Sequence, residues 1–343
     1  MNIYLPILAF LFLSSCNENV TSEVSNIKVI LDTDMGSDCD DVGALAMLNE
    51  YKNQGKAEIK GVIYSSGVMP YGAGVIDAIN RYYGNDKIPI GASYDSLVGD
   101  PIDKMQAEKL SKDTAAFKNK IIKNTDAIEQ TQLIRSILTN QPDNSIVYIT
   151  IGHTKGLYDL LVSKPDTISR LSGMELANKK IKKWVALGAL KASNQEKRYV
   201  KDWNFFSNGT AKYSKFVVEN FPKPIYFIDA GSDIMTGKSL ANTPNGNIVR
   251  TAYRDWLWNV EKKLLEDQRP SWDLMTVYFA VEKPEKHFET IENGYLEFDI
   301  EKGCRWNKTD SLTNQYFVLQ KQGYQDEISN YLNKMISKRG MEE

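Results

Sequence analysis

Five aspartates crowd one short stretch near the start of the chain: Asp32, Asp34, Asp38, Asp40 and Asp41, in the run Leu31-Asp32-Thr33-Asp34-Met35-Gly36-Ser37-Asp38-Cys39-Asp40-Asp41. Carboxylates that share a site repel, and at least one stays protonated unless a cation joins them. Hard cations take oxygen ligands, so this stretch points to a site for Ca²⁺ or Mg²⁺. Such a cation lowers the pKa of a bound water, and a neighbouring carboxylate can take the proton. The competing reading is a solvated acidic turn at a strand end.

The elements on either side would position these acids. Ile27 to Leu31 is an apolar run before a glycine-containing turn, the pattern of a buried strand. Asp32 and Asp34 point the same way if the strand persists that far. Val42 to Leu48 reads as a helix, which puts Asp40 and Asp41 at its N-terminus, where the dipole favours negative charge. Strand and helix patterns then alternate: strands at 59–65, 88–91, 146–151, 184–187 and 225–228, helices at 75–83, 127–138, 156–161 and 211–218. This order predicts an α/β fold with a mostly parallel sheet flanked by helices on both faces. Ligands of such sheets bind beyond the carboxyl ends of the strands, where the acidic window, Thr150 and Gly188 all fall. Residues 101–125 are polar and lysine-rich, and read as a surface helix or lid. In the C-terminal third, 248–265 and 274–281 read as helices, 295–300 and 315–319 as strands of a hairpin or small edge sheet, and 328–336 as a closing helix. This is a small C-terminal β/α extension.

Composition narrows the function. The 343 residues are 42% hydrophobic and 25% charged, with a net charge of -2. No long basic block is present, which argues against nucleic acid as a partner. Ile3 to Leu13 is an apolar segment too short to span a membrane as a mature helix, and it ends in Leu13-Ser14-Ser15-Cys16. Small residues before a cysteine resemble a bacterial lipobox. The expected organisation is a signal peptide over 1–16, a lipidated Cys16, a tether over 17–26 and a single domain over 27–340. That places the protein in a bacterial cell envelope, held to the membrane by a lipid anchor alone. Cys39 and Cys304 make no disulfide framework. Cys39 sits in a negative field that raises its thiol pKa, so cysteine-nucleophile chemistry is disfavoured.

The acidic window, taken with three later pieces, resembles the calcium-dependent nucleoside hydrolases. That family opens on Asp-x-Asp-Pro-Gly-x-Asp-Asp before an alanine-rich helix. Here Met35 replaces the proline and the loop is longer by two residues, so either Asp38 or Asp40 fills the place of the first paired aspartate; counting back from the helix favours Asp40 and Asp41. Ile149-Thr150-Ile151-Gly152 is similar to the strand end whose threonine carbonyl binds the metal. Asp202-Trp203-Asn204-Phe205 resembles the Glu-aromatic-Asn segment that holds the ribose hydroxyls. Arg269-Pro270-Ser271-Trp272-Asp273 carries the late metal ligand.

The resemblance implies hydrolysis of the N-glycosidic bond of a nucleoside or related riboside, with Ca²⁺ as cofactor and a homo-oligomer as a compatible assembly. Asp34 would bind the metal and take the proton from the attacking water. Asp41, Asp273 and the Thr150 carbonyl would complete the protein ligands. Asp40 (or Asp38) and Asn204 would hold the sugar diol, and Asp202 would contact the 5′ end. One departure matters: many members have a histidine just before the late aspartate, where this chain has Trp272. Trp272 and Trp203 are candidates for stacking on a base instead. The chain has only His153 and His287. His153 reads as a satisfied structural histidine, although its place after the threonine segment leaves an approach to the site open. Two alternatives stand beside this reading: an Asp-dependent phosphohydrolase, and a lipid-anchored protein that binds a riboside or glycan without cleaving it.

Overall fold

The computed structural model describes Met1, residues 26–193 and residues 198–341. Cys16, the rest of the expected signal segment and nearly all of the tether lie outside them. The strands in chain order are β1 (Ile27–Thr33), β2 (Ala57–Tyr64), β3 (Ile90–Ala92), β4 (Ile128–Glu129), β5 (Ile146–Thr150), β6 (Ile181–Leu187), β7 (Ile225–Asp229), β8 (Met235–Thr236), β9 (Arg269–Pro270), β10 (Phe288–Ile291), β11 (Gly294–Asp299), β12 (Gly303–Lys308) and β13 (Gln315–Gln320). Nine of them form one sheet in the order β10-β13-β7-β6-β5-β1-β2-β3-β4. Every pairing in it is parallel except β10 with β13.

Strand side chains alternate between faces, and the core divides accordingly. Val29 and Leu31 of β1, Val147 and Ile149 of β5 and Val185 of β6 belong to one apolar cluster. Ile30, Ile146, Tyr148, Trp184 and Ala186 belong to the other. Helices cover both faces, which is why these strands read as nearly continuous apolar runs. Among the described residues, no helix is long and apolar enough to cross a membrane.

Two expectations change. The C-terminal strands do not pair with each other. β11 pairs with β12 as a hairpin, whereas β13 joins the main sheet parallel to β7. And β1 ends at Thr33, so the alternation that would have set Asp32 and Asp34 on one face does not reach Asp34.

The helices that matter most for the site are Asp40–Asn53 and Trp272–Glu282. Both are buried nearly all round and pack together against the sheet. Gly43 allows this closeness: a Cβ there would lie 2.4 Å from the Tyr253 hydroxyl and 3.1 Å from Leu274.

Candidate active site

The order of β1 and β5 in the sheet builds the floor. Asp32 pairs in register with Thr150, and the Ile151 amide donates to the Asp32 carbonyl at 2.9 Å. The chain leaves β1 at Thr33 and turns through Met35-Gly36 into the helix Asp40–Asn53. Thr33 Oγ1 donates to Asp41 Oδ1, tying the strand end to the helix start. Gly152 is needed beside this turn, since a Cβ there would lie 2.6–2.8 Å from the main chain and side chain of Asp34.

Asp273 arrives from the far end of the sequence. The antiparallel pair β8–β9 and the bond between Thr236 and Ser271 hydroxyls, 2.6 Å, hold the segment before it. Asp273 therefore opens the helix Trp272–Glu282, with its amide donating to Asp40 Oδ2 at 3.3 Å. Two helix N-termini thus converge on one point, and both favour negative charge there.

Asp40, Asp41 and Asp273 each bring a carboxylate oxygen within 4.8 Å of the others, and all three are buried. Two ionised carboxylates at that separation repel by about 3 kcal/mol at an effective dielectric near 20. Burial, then the charge of Asp41, pushes Asp40 up to about 8. Burial, then the charge of Asp40, pushes Asp34 up to about 7. Asp41 and Asp273 are raised well above the usual carboxylate range, first by burial and then by Asp34 and Asp40 respectively. A bound divalent cation reverses this and restores the ionised acids. The donor set is all oxygen and closely spaced, which fits a hard divalent ion.

These acids form one side of a cavity of about 250 Å³. It is lined by Asp34, Asp38, Asp40, Asp41 and Asp273 together with Asp202, Trp203, Asn204 and Trp272. Thr150, expected to offer its main-chain carbonyl, does not line the cavity with its side chain. Its side chain lies on the sheet face of Trp184, whose Nε1 donates to Thr150 Oγ1 at 2.9 Å. The wall at this strand end is Ile151, one residue beyond β5, and its carbonyl accepts from Asn204 Nδ2 at 2.8 Å. Asp32 is also away from the cavity, fully buried under the sheet end, with Tyr148 donating to it at 3.0 Å.

Asp38 and Asp40 separate clearly. Asp40 belongs to the buried cluster. Asp38 is half-buried and pairs with Arg269, whose Nη2 lies 2.9 Å from Asp38 Oδ2 and 3.3 Å from Asp40 Oδ1. The longer loop therefore carries a counter-ion for a buried arginine. That guanidinium lies 4.4 Å from the Trp256 ring centroid and 5.6 Å from that of Trp272, so it also props Trp272 at the cavity wall.

On the opposite side, Asp202 is committed to the backbone. Its Oδ1 accepts from the Phe205 amide at 2.9 Å as a helix cap, and Oδ2 from the Ala189 amide at 3.0 Å. Trp203 is 46% exposed, which rules out a core role. Lys104 lies 5.2 Å from its ring, while the Lys104 amide donates to Gly36 at 3.0 Å. The start of the lysine-rich segment thus bridges the acidic loop and the tryptophan across the mouth.

No protein-family model matches the sequence, and no curated protein matches it. Solved structures do. The inosine-uridine preferring nucleoside hydrolase from Bacillus anthracis superposes with a TM-score of 0.63 at 16% identity, over 91% of this chain and 99% of that one. The chain has the nucleoside hydrolase fold. A purine-preferring ribonucleoside hydrolase from Gardnerella vaginalis gives 0.63 at 15% identity, over 92% of this chain and 100% of the other. The fold is shared with a type III effector, XopQ, complexed with adenosine diphosphate ribose, at 0.62 and 12% identity, over 92% and 93%.

Within this nucleoside hydrolase fold, sequence reasoning assigns Arg269 no role at the site and leaves an approach of His153 open. Arg269 stands four residues before Asp273, but no local pattern links it to Asp38 across the chain. His153 is fully buried, with Nε2 at 3.3 Å from Asp34 Oδ2 and Nδ1 at 3.2 Å from the Asn204 carbonyl. Burial pushes its pKa down to about 4, so the ring is neutral near pH 7.

Proposed function

We propose that this protein hydrolyses the N-glycosidic bond of ribonucleosides or related ribosides, with a Ca²⁺ ion that Asp34, Asp41 and Asp273 would hold beside Asp40. The observation that carries this reading is the buried cluster Asp40, Asp41 and Asp273, joined in one cavity with Asp34, Asn204 and two tryptophans. Cleavage builds positive charge on the sugar, and a carboxylate-rich wall favours that change. When bound, the cation supplies acidity to a water and a grip on a vicinal diol. Asp34 takes the water's proton. Asn204 orients the sugar against the acidic wall, and Trp203 and Trp272 flank the leaving base. The Thr150 main-chain carbonyl remains the proposed ligand from the strand end.

Product analysis of a nucleoside panel, with and without added Ca²⁺, tests the reading. Release of free base from ribosides, lost in excess chelator, is expected. Turnover that persists in chelator overturns the metal-dependent scheme. Asp202, with both oxygens engaged by amides, and Trp272, at the place of the family's histidine, favour a second reading as a riboside-binding protein without turnover. Tight binding with no product over long incubation would select it.

We also propose that Cys16 is acylated and tethers the fold to a bacterial envelope membrane, on the strength of Leu13-Ser14-Ser15-Cys16. Labelling with a fatty-acid analogue that survives Cys16→Ala would reject the anchor.

A further inference from the structure

The carboxyl ends of a parallel sheet form a ligand-binding edge, and the candidate active site occupies only part of it. That site stands over the ends of β1, β5 and β6. Farther along the same edge, over the ends of β6, β7 and β13, lies a second cavity of about 600 Å³. Asp229 closes β7 and Gln320 closes β13, and both line it. Trp203 and Trp272 line both cavities, with Asp202 between them in neither case far away in the wall. The two spaces are neighbours across one pair of tryptophans.

The wall of the second cavity selects a ligand by its chemistry. Asp229 is half-buried, and its Oδ2 accepts from the Lys191 amide at 2.8 Å, which leaves Oδ1 without a hydrogen-bond partner among the described residues. Gln320 is fixed at both ends of its amide. Its Oε1 accepts from the Gly231 amide at 3.1 Å, and its Nε2 donates to Asp233 Oδ1 at 2.8 Å. The cavity thus holds carboxylate acceptors on a set framework.

Three kinds of ligand compete for such a wall. A phosphate would meet Asp202, Asp229 and Asp233 against two lysines, Lys191 and Lys201, and the Lys201 ammonium already lies over the Phe206 ring at 4.7 Å. An apolar group would strip water from the carboxylates and return no hydrogen bond. A hydroxyl-rich ring answers both demands: its hydroxyls donate to the carboxylates, and its CH face rests on a tryptophan.

We propose that the second cavity is a subsite for a hydroxyl-rich, sugar-like group joined to the leaving base, so that the preferred substrate is a riboside whose base carries a polyhydroxylated substituent. This rests on the hydrolase reading above, in which Trp203 and Trp272 flank the base. The bond cleaved is the same. The added group binds beyond the tryptophans, away from the reacting atoms, so it tightens substrate and transition state alike and lowers KM rather than raising kcat.

Three adenosine derivatives test this. Each carries the same short flexible chain on the exocyclic amine of the base, ending in a glucosyl, a cyclohexyl or a phosphate group. The glucosyl derivative is expected to show a KM about tenfold below that of adenosine at similar kcat, the worth of one or two hydrogen bonds. Equal gains for the glucosyl and cyclohexyl ends, or the largest gain for the phosphate, would overturn the subsite. Ser232→Trp puts bulk at an exposed position of the cavity wall, and the glucosyl advantage over adenosine should vanish within that variant. An advantage that survives it would place the glucosyl group elsewhere and overturn the proposal.

A second measurement does not depend on turnover. Saturation transfer to methyl β-D-glucoside, read by NMR, is expected with the wild type and lost in Ser232→Trp. Transfer that is absent, or that persists in the variant, overturns the subsite. Transfer with this pattern in a protein that cleaves no riboside supports the subsite and removes the hydrolase reading instead. Cleavage of adenosine with no glucosyl advantage keeps the hydrolase reading and removes the subsite.

Discussion

The two walls of the cavity answer their buried carboxylates with different partners. On the Asp202 side, the acid has two backbone amides and ends a loop by capping a four-residue helix. Burial raises it as well, but the Phe205 and Ala189 amides pull it back down. On the other side, Asp34, Asp40, Asp41 and Asp273 answer mostly to one another, and every one is pushed above its ordinary range by burial first. Arg269 compensates only part of this charge, through Asp38 and Asp40. The contrast teaches where a ligand belongs. A satisfied buried acid is structural, while a buried cluster of mutually repelling acids is completed by something that arrives from outside.

The sharpest way to break this contrast is to remove an acid from each wall. Asp273→Ala is expected to lower kcat by about 10³-fold or more, the scale of losing a principal electrostatic group. The same change should leave the metal-free fold at least as stable, because it removes repulsion. A metal-free melting temperature well below wild type would show that Asp273 supports the fold rather than a ligand.

Metal addition should act on the acidic wall alone. At a cation concentration about 100 times its Kd, the fold gains about 2.7 kcal/mol if the ion binds only the native state. Calorimetric unfolding with and without Ca²⁺ reads this directly, and no upward shift would count against the site.

The pH dependence has a definite sign. In the metal-free protein, Asp34 and Asp40 titrate near 7 and 8, against 3.8 in the unfolded chain. Between those values the folded state binds more protons than the unfolded one. Stability from these groups is therefore full below pH 3.8 and falls as pH rises through 7 and 8. Urea midpoints at about pH 5 and about pH 8 should show the decline without metal and a much smaller one with it. A metal-free midpoint that rises over the same interval contradicts the assignment.

Smaller effects sharpen the other wall. Trp203→Ala should raise KM by about 5- to 100-fold, the loss of one base–aromatic stack, without moving the melting temperature of a side chain that is 46% exposed. Asp202→Ala should cost about 1 kcal/mol of stability through its lost cap, measured by denaturant titration. If Asp202→Ala left stability intact and removed turnover, the division between the walls drawn here would be wrong.

Much of this was readable along the chain. The acid spacing before a helix start, the alternating strand and helix patterns and the late Asp273 are local features, because hydrophobic periodicity and helix-start chemistry act over a few residues. That Ile151, and not the Thr150 side chain, lines the cavity was not readable. It depends on where β5 stops, and a one-residue difference at a strand end exchanges which face a side chain meets. Asp32 was separated from Asp34 for the same reason, since β1 stops between them. The choice between Asp38 and Asp40 needed Arg269, which lies more than two hundred positions away and meets the loop only after both are folded. The place of His153 stayed open because its neighbours, Asp34 and Asn204, come from opposite sides of it in sequence. The order of residues determined which chemical groups this protein owns and which elements carry them. Tertiary structure alone decided which carboxylates the backbone satisfies and which are left facing one another, because hydrogen bonding and repulsion depend on distance in space.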